Sequence, residues 1–199
     1  MLRLAVLVSG SGSNLQSIID SYENNTLGNV RPVLAVADRK CFALERAGKH
    51  GMKTVLLDRK IYGKKLSEKL NSVLENYNID FAVLAGWLSI LDSDFVKKWE
   101  GKVLNIHPSL LPDFGGAGMY GLKVHRAVID AGRKESGCSV HIVTEEIDGG
   151  KVLGRRKVPV FPDDTPEELA ARVLKEEHVL YPDVIGKWAD SSELKRREN

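Results

Sequence analysis

Over its first hundred residues the chain alternates nearly unbroken apolar runs with segments whose apolar residues recur every three to four positions. Leu2–Val8 is apolar at six of seven positions. A strand with no polar face must be covered on both sides, as strands of parallel sheets are. Residues 14–22 then place Leu15, Ile18 and Ile19 at helical spacing. The same grammar predicts strands over 32–37, 53–57, 81–85 and 103–106, and helices over 42–50, closed by Gly51, and over 66–76. Strand–helix alternation implies an α/β protein with a mostly parallel sheet and helices on both faces.

After Pro112 the pattern changes. Residues 113–121 hold four glycines in nine positions and read as a loop with unusual backbone freedom. A helix is expected over 122–131. Two strands, 139–143 and 152–160, flank a turn at Gly149-Gly150. Residues 165–189 form a long terminal helix with Thr165 as cap, Pro166 at its first position and Glu168 completing a capping box. Pro182 is expected to kink or break it. The Lys195-Arg196-Arg197 tail is expected to be solvated and frayed, with the tail starting at residue 190.

A length of 199 residues suits one domain with a full core. Lys and Arg total 29 against 27 Asp and Glu, so no net field favours nucleic acid or a membrane surface. Two cysteines, Cys41 and Cys138, are too few for a disulfide framework, and no Cys-x-x-Cys occurs. No leader or transmembrane run is evident, and the simplest expectation is a cytosolic protein. No His or Cys spacing suits a metal.

Four elements can carry chemistry. Asn105-Ile106-His107-Pro108 places an amide and an imidazole two residues apart at a strand end, where alternation points both the same way. That edge is where α/β sheets bind ligands. An amide donor beside an acid/base group suits a reaction in which a carbonyl oxygen gains charge while a proton moves. Asp148, before Gly149-Gly150, reads either as a turn residue or as a carboxylate that reaches His107, raises its pKa and sets its tautomer. Ser9-Gly10-Ser11-Gly12-Ser13-Asn14 follows the first strand and opens a helix. It reads as a phosphate cradle, as a dinucleotide loop with Asp38 as the ribose acid, or as a capped turn. Against the dinucleotide reading, Leu15 stands where its third glycine would fall. Residues 85–91 leave the sheet as an apolar run and either wall a pocket for a flat ring or pack in the core. His141 can line the same cleft, with core packing the stronger expectation. His50, His125 and His178 lie on predicted helices and lack a comparable setting.

With these elements in place the chain resembles the phosphoribosylglycinamide formyltransferases, folate-dependent enzymes of purine synthesis. The resemblance rests on Gly10-Ser11-Gly12-Ser13-Asn14, Ala85-Gly86-Trp87-Leu88-Ser89-Ile90-Leu91, Asn105-Ile106-His107-Pro108-Ser109-Leu110-Leu111-Pro112, Asp148-Gly149-Gly150 and Glu177-His178-Val179-Leu180-Tyr181-Pro182. It implies a single-domain, Rossmann-like fold of about seven strands with a C-terminal antiparallel portion, and a formyltransferase domain over 1–189. It implies transfer of formyl from 10-formyltetrahydrofolate, a co-substrate, to glycinamide ribonucleotide, without metal. Asn105, His107 and Asp148 would be catalytic. Gly12, Ser13, Asn14 and Glu177 would bind the ribonucleotide. Arg59, Leu88, Ser89, Ile90, Leu91, Asn105, Thr144, Glu145, Glu146 and Ile147 would form the folate site.

Three positions depart from the family pattern. The loop after Pro112 is longer and richer in glycine, Ser89 stands where many members carry Arg, and Ser11 replaces a frequent Asn. Two related activities use the same formyl donor. Methionyl-tRNA formyltransferases add a C-terminal RNA-binding domain, and formyltetrahydrofolate hydrolases an N-terminal regulatory one; neither is expected here. A non-catalytic ribonucleotide sensor is the alternative outside enzymes. The expected partners are small molecules only, with the chain a monomer or homodimer.

Overall fold

A computed structural model of the chain describes residues 1–191. Its elements, in chain order, are β1 Leu2–Val8, α1 Ser13–Glu23, β2 Val30–Ala37, α2 Phe42–Lys49, β3 Lys53–Leu56, α3 Arg59–Tyr62, α4 Leu66–Asn76, β4 Phe81–Leu84, α5 Ser93–Lys98, β5 Val103–His107, α6 Leu122–Asp130, β6 Glu135–Ile142, β7 Val152–Pro159 and α7 Pro166–Asp190. The seven strands make one sheet in the order β3-β2-β1-β4-β5-β6-β7. The first five are parallel, and β6 and β7 are added antiparallel. The architecture is the expected α/β one.

Alternation along β1 splits the core in two. Leu4, Val6 and Val8 face one layer, built with α1, α2 and α7. Ala5 and Leu7 face the other, built with Leu66, Leu70 and Leu74 of α4. Both layers are buried, which is why β1 reads as a nearly unbroken apolar run.

Where the structure departs from the sequence reading, the cause is tertiary. β2 begins at Val30, two residues before the expected start, so Pro32 is its third residue rather than its first. The β1–β2 register slips beside Pro32, and β3 pairs only from Leu34 onward, so the missing N–H of Pro32 faces no neighbour. β6 begins at Glu135 rather than 139, because β7 supplies partners for the polar stretch from Glu135. β5 continues through His107. The short helix α5 was not expected, although Asp92 caps it by accepting a hydrogen bond from Phe95 N–H.

Pro182 does not break α7, which runs unbroken for 25 residues. Leu180, Tyr181, Pro182, Val184 and Ile185 are buried there, and the packing outweighs one lost backbone hydrogen bond. The Tyr181 hydroxyl lies 2.9 Å from the Leu84 carbonyl and 3.2 Å from that of Leu104, spanning the ends of β4 and β5. The capping box of Thr165 and Glu168 forms as read from the sequence. Asp190 closes α7, and the Lys195-Arg196-Arg197 tail lies outside the described residues.

Tyr181→Phe is expected to lower stability by about 1–3 kcal/mol, because it strips the hydroxyl from two buried carbonyls. A urea melt at equilibrium checks this; an unchanged midpoint would show that the hydroxyl ties nothing together.

Candidate active site

β5 presents Asn105 and His107 on one face, and the antiparallel register sets Asn105 opposite His141 and His107 opposite Ser139. Asn105 Nδ2 lies 3.1 Å from His141 Nε2. The other ring nitrogen of His141, Nδ1, lies 3.0 Å from the Ile142 carbonyl and must carry a proton to bond it. A neutral ring then accepts from Asn105 at Nε2, which leaves one amide proton unused, whereas a protonated ring donates from Nε2 to Asp148 Oδ1, 3.4 Å away. Core packing is thus not the role of His141: it sits on the site and orients the amide.

Asp148 arrives from the β6–β7 hairpin in a left-handed conformation, φ 56°. Gly150 lets that hairpin close, since a Cβ there would lie 1.8 Å from the Ile142 carbonyl oxygen. Asp148 Oδ2 lies 3.5 Å from His107 Nδ1, and Oδ1 lies 3.4 Å from His141 Nε2. Gly116 N–H donates to Oδ2 at 2.9 Å, tying the glycine-rich loop to the carboxylate. His107 Nε2–H donates to the Phe114 carbonyl at 2.9 Å. Its Nδ1, facing Asp148 beyond hydrogen-bond length, is the nitrogen open to proton exchange.

The electrostatics correct one expectation. Burial pushes the pKa of His107 down, the charge of Asp148 pushes it up, and burial wins, leaving it below the ordinary 6.5. Asp148 therefore limits the fall but does not hold the ring protonated. Burial also opposes the charge of Asp148 itself, but His141, the charge of His107 and the Gly116 N–H outweigh it and keep its pKa low.

These groups line a cleft of about 710 Å³ at the carboxyl edge of the sheet. Leu88, Ser89, Ile90 and Leu91 form one wall, and residues 144–148 form another. Asn14 and Glu177 close the far end, where Asn14 Nδ2 donates to Glu177 Oε2 at 2.7 Å. Burial raises the pKa of Glu177 despite that bond, favouring a neutral carboxyl that can both donate and accept. Among the described residues, Asn14 Oδ1, Trp87 Nε1 and His125 Nδ1 are buried without partners, and all three residues line the cleft. Orphaned polar atoms on a cavity wall are positioned for a ligand's polar groups. Trp87 lies in the 85–91 segment read as a possible pocket wall, whereas His125 was set aside as a helix residue, because only the docking of α6 brings it to the cleft. Burial pushes the His125 pKa down to about 4.

Gly12 and Ser13 do not line the cleft; they flank Asn14 at the start of α1. No side chain caps α1, so its first N–H groups have no side-chain acceptor and the capped-turn reading fails. The carboxylate of Asp38 is fully buried and bonded by both Arg39 and Ser89, so it is not presented to a ribose. Arg59 is also off the cleft wall; its N–H bonds the Asp38 carbonyl, next to the Ser89 contact. Burial drives the Cys138 thiol up to about 12, which leaves it inert as a nucleophile. The described residues contain no group of three or more His, Cys, Asp or Glu able to hold a metal, and no helix long and apolar enough to cross a membrane.

An amide, two imidazoles and a carboxylate meet at the rim of a doubly wound sheet, an arrangement suited to group transfer at a carbonyl. The family model described as "Formyl transferase" matches residues 2–185, and the chain belongs to that family. It is 43% identical over 206 residues to the phosphoribosylglycinamide formyltransferase of Escherichia coli K12, covering all of this chain and 92% of that one. It is also 43% identical to the chloroplastic phosphoribosylglycinamide formyltransferase of Vigna unguiculata, over 92% of this chain and 59% of that protein. The chain thus spans less than two thirds of that plant relative. The crystal structure of glycinamide ribonucleotide transformylase 1 from Symbiobacterium toebii superposes with a TM-score of 0.89 at 36% identity, covering 96% of this chain and 88% of that one.

A proton NMR titration of His107 is expected to give a midpoint below 6.5, and Asp148→Asn a still lower one. An unmoved midpoint in that variant would break the pairing.

Proposed function

We propose that the chain is a phosphoribosylglycinamide formyltransferase, moving formyl from 10-formyltetrahydrofolate to the amine of glycinamide ribonucleotide in purine synthesis. The observation that carries this reading is the convergence of Asn105, His107, His141 and Asp148 on one open cleft in a member of the formyl transferase family.

10-Formyltetrahydrofolate supplies the carbonyl carbon that the amine attacks. As that carbon becomes tetrahedral, its oxygen gains negative charge. The amide proton of Asn105 not used by His141 stabilises that oxygen from a preset position. His107, neutral at rest, takes up a proton during attack, directly or through a water, and returns it to the departing folate nitrogen. Asp148 stabilises the imidazolium that forms in between. The apolar wall of Leu88, Ile90 and Leu91, with Ser89 and the loop Thr144, Glu145, Glu146 and Ile147, suits the flat pterin and its benzoyl arm. Arg59, just outside that wall, suits the glutamate end. Gly12, Ser13 and Asn14 face the phosphate, and Glu177 the ribose. Residues 1–189 form the working domain, with small molecules as partners, in the cytosol, as a monomer or homodimer.

The direct test mixes the purified protein with both substrates and follows deformylated folate by absorbance, omitting each substrate in turn. Product formed without the ribonucleotide would favour a hydrolase instead, and binding without turnover a sensor. Asn105→Ala is expected to lower kcat by ~10²–10³, and His107→Ala by ~10²–10⁴. Near-normal turnover in both would remove their roles.

The low pKa of His107 fixes the sign of the pH response. The proton-accepting form is neutral, so activity falls as pH drops through the His107 pKa and is flat above it. The acid limb of kcat/KM is expected below pH 6.5; a limb centred above it would mean that the charged ring is the resting form.

A further inference from the structure

The phosphate-loop sequence 9–14 contains no basic residue, and no side chain caps α1. A phosphate dianion there would meet backbone N–H groups, small hydroxyls and the Asn14 amide, none of them charged. The structure supplies what is missing from behind. Ala43 N–H donates to the Gly10 carbonyl at 3.2 Å, and Arg46 Nε–H donates to the Ser11 carbonyl at 2.9 Å, both from α2. With the carbonyls of Gly10 and Ser11 drawn toward α2, the following N–H groups are turned the other way. Gly12 seals the arrangement: its φ is 77°, and a Cβ there would lie 2.7 Å from Ala43 Cβ.

Arg46 is itself held in place. Its Nη1 donates to Gln16 Oε1 at 3.2 Å, one turn into α1, and its guanidinium lies 4.9 Å from the Phe42 ring centre. Among the described residues no carboxylate pairs with it. Its charge is therefore not cancelled locally and remains available to an anion on the other side of the loop.

We infer that Arg46 is the positioning residue that makes this loop selective for a phosphomonoester, by pinning the Ser11 carbonyl and by placing an unpaired positive charge behind the cradle. The inference rests on the reading of the 9–14 loop as the ribonucleotide phosphate site and extends it to a residue outside the loop.

The test compares glycinamide ribonucleotide with its dephosphorylated riboside as substrates of the full chain, and adds inorganic phosphate as a competitor. Arg46→Met keeps the aliphatic stem and removes the charge and the donors. It is expected to lower kcat/KM for the ribonucleotide about tenfold, through KM, with kcat within about twofold. The riboside should be unaffected, and the inhibition constant of phosphate should rise in parallel. Arg46→Lys, which keeps the charge without the planar fork, should fall between. Equal losses on both substrates, or no loss on either, would overturn the inference and leave Arg46 a helix-packing residue. If the wild-type chain does not prefer the ribonucleotide, and Ser13→Ala and Asn14→Ala change nothing, the phosphate reading fails and this inference with it.

Discussion

The antiparallel pairing of β5 with β6 is the contact on which the site depends. Parallel pairing puts β5 beside β4 in the buried body of the sheet, so the sheet could have ended there with a bare edge. β6 instead runs back along that edge, laying His141 across from Asn105 and Ser139 across from His107. A slip of one residue would turn each of these side chains to the opposite face. The same hairpin delivers Asp148, so one register brings two of the four polar groups, His141 and Asp148, to the two that β5 carries.

Burial then sets their chemistry. A histidine beside a carboxylate invites the expectation of a charged pair. Here the ring is 4% exposed, and loss of solvation outweighs a carboxylate held at 3.5 Å. The outcome is a neutral ring with one nitrogen committed to the Phe114 carbonyl and the other facing a negative charge. Such a ring gains a proton favourably only when the reaction supplies one. On the proposed reading Asp148 would stabilise that transient state, and the Gly116 N–H ties it to the glycine-rich loop that lines the cleft.

Much of the fold was legible because its signals are local. Unbroken apolar strands, helical periodicity, the Thr165 cap and the Asn-x-His-Pro strand end each arise from neighbours within a few residues. The misses were non-local. Pro182 sits in a helix whose burial overrides a backbone rule, and β2 starts two residues before Pro32 because Val30 and Arg31 pair with Leu2 and Arg3 of β1. His141 was weighed as core because nothing near it in sequence announces Asn105, 36 residues away. Arg46 and His125 were silent for the same reason: each looks like an ordinary helix residue until its helix is docked.

By itself the sequence determined most of the strands and helices and which of them carry an amide, an imidazole or a glycine-serine turn, since alternation and capping act at short range. The tertiary structure alone decided which of those groups meet, which ring nitrogen stays free and which charge survives. Those outcomes depend on strand register and on desolvation, and both are properties of the packed molecule rather than of any segment in it.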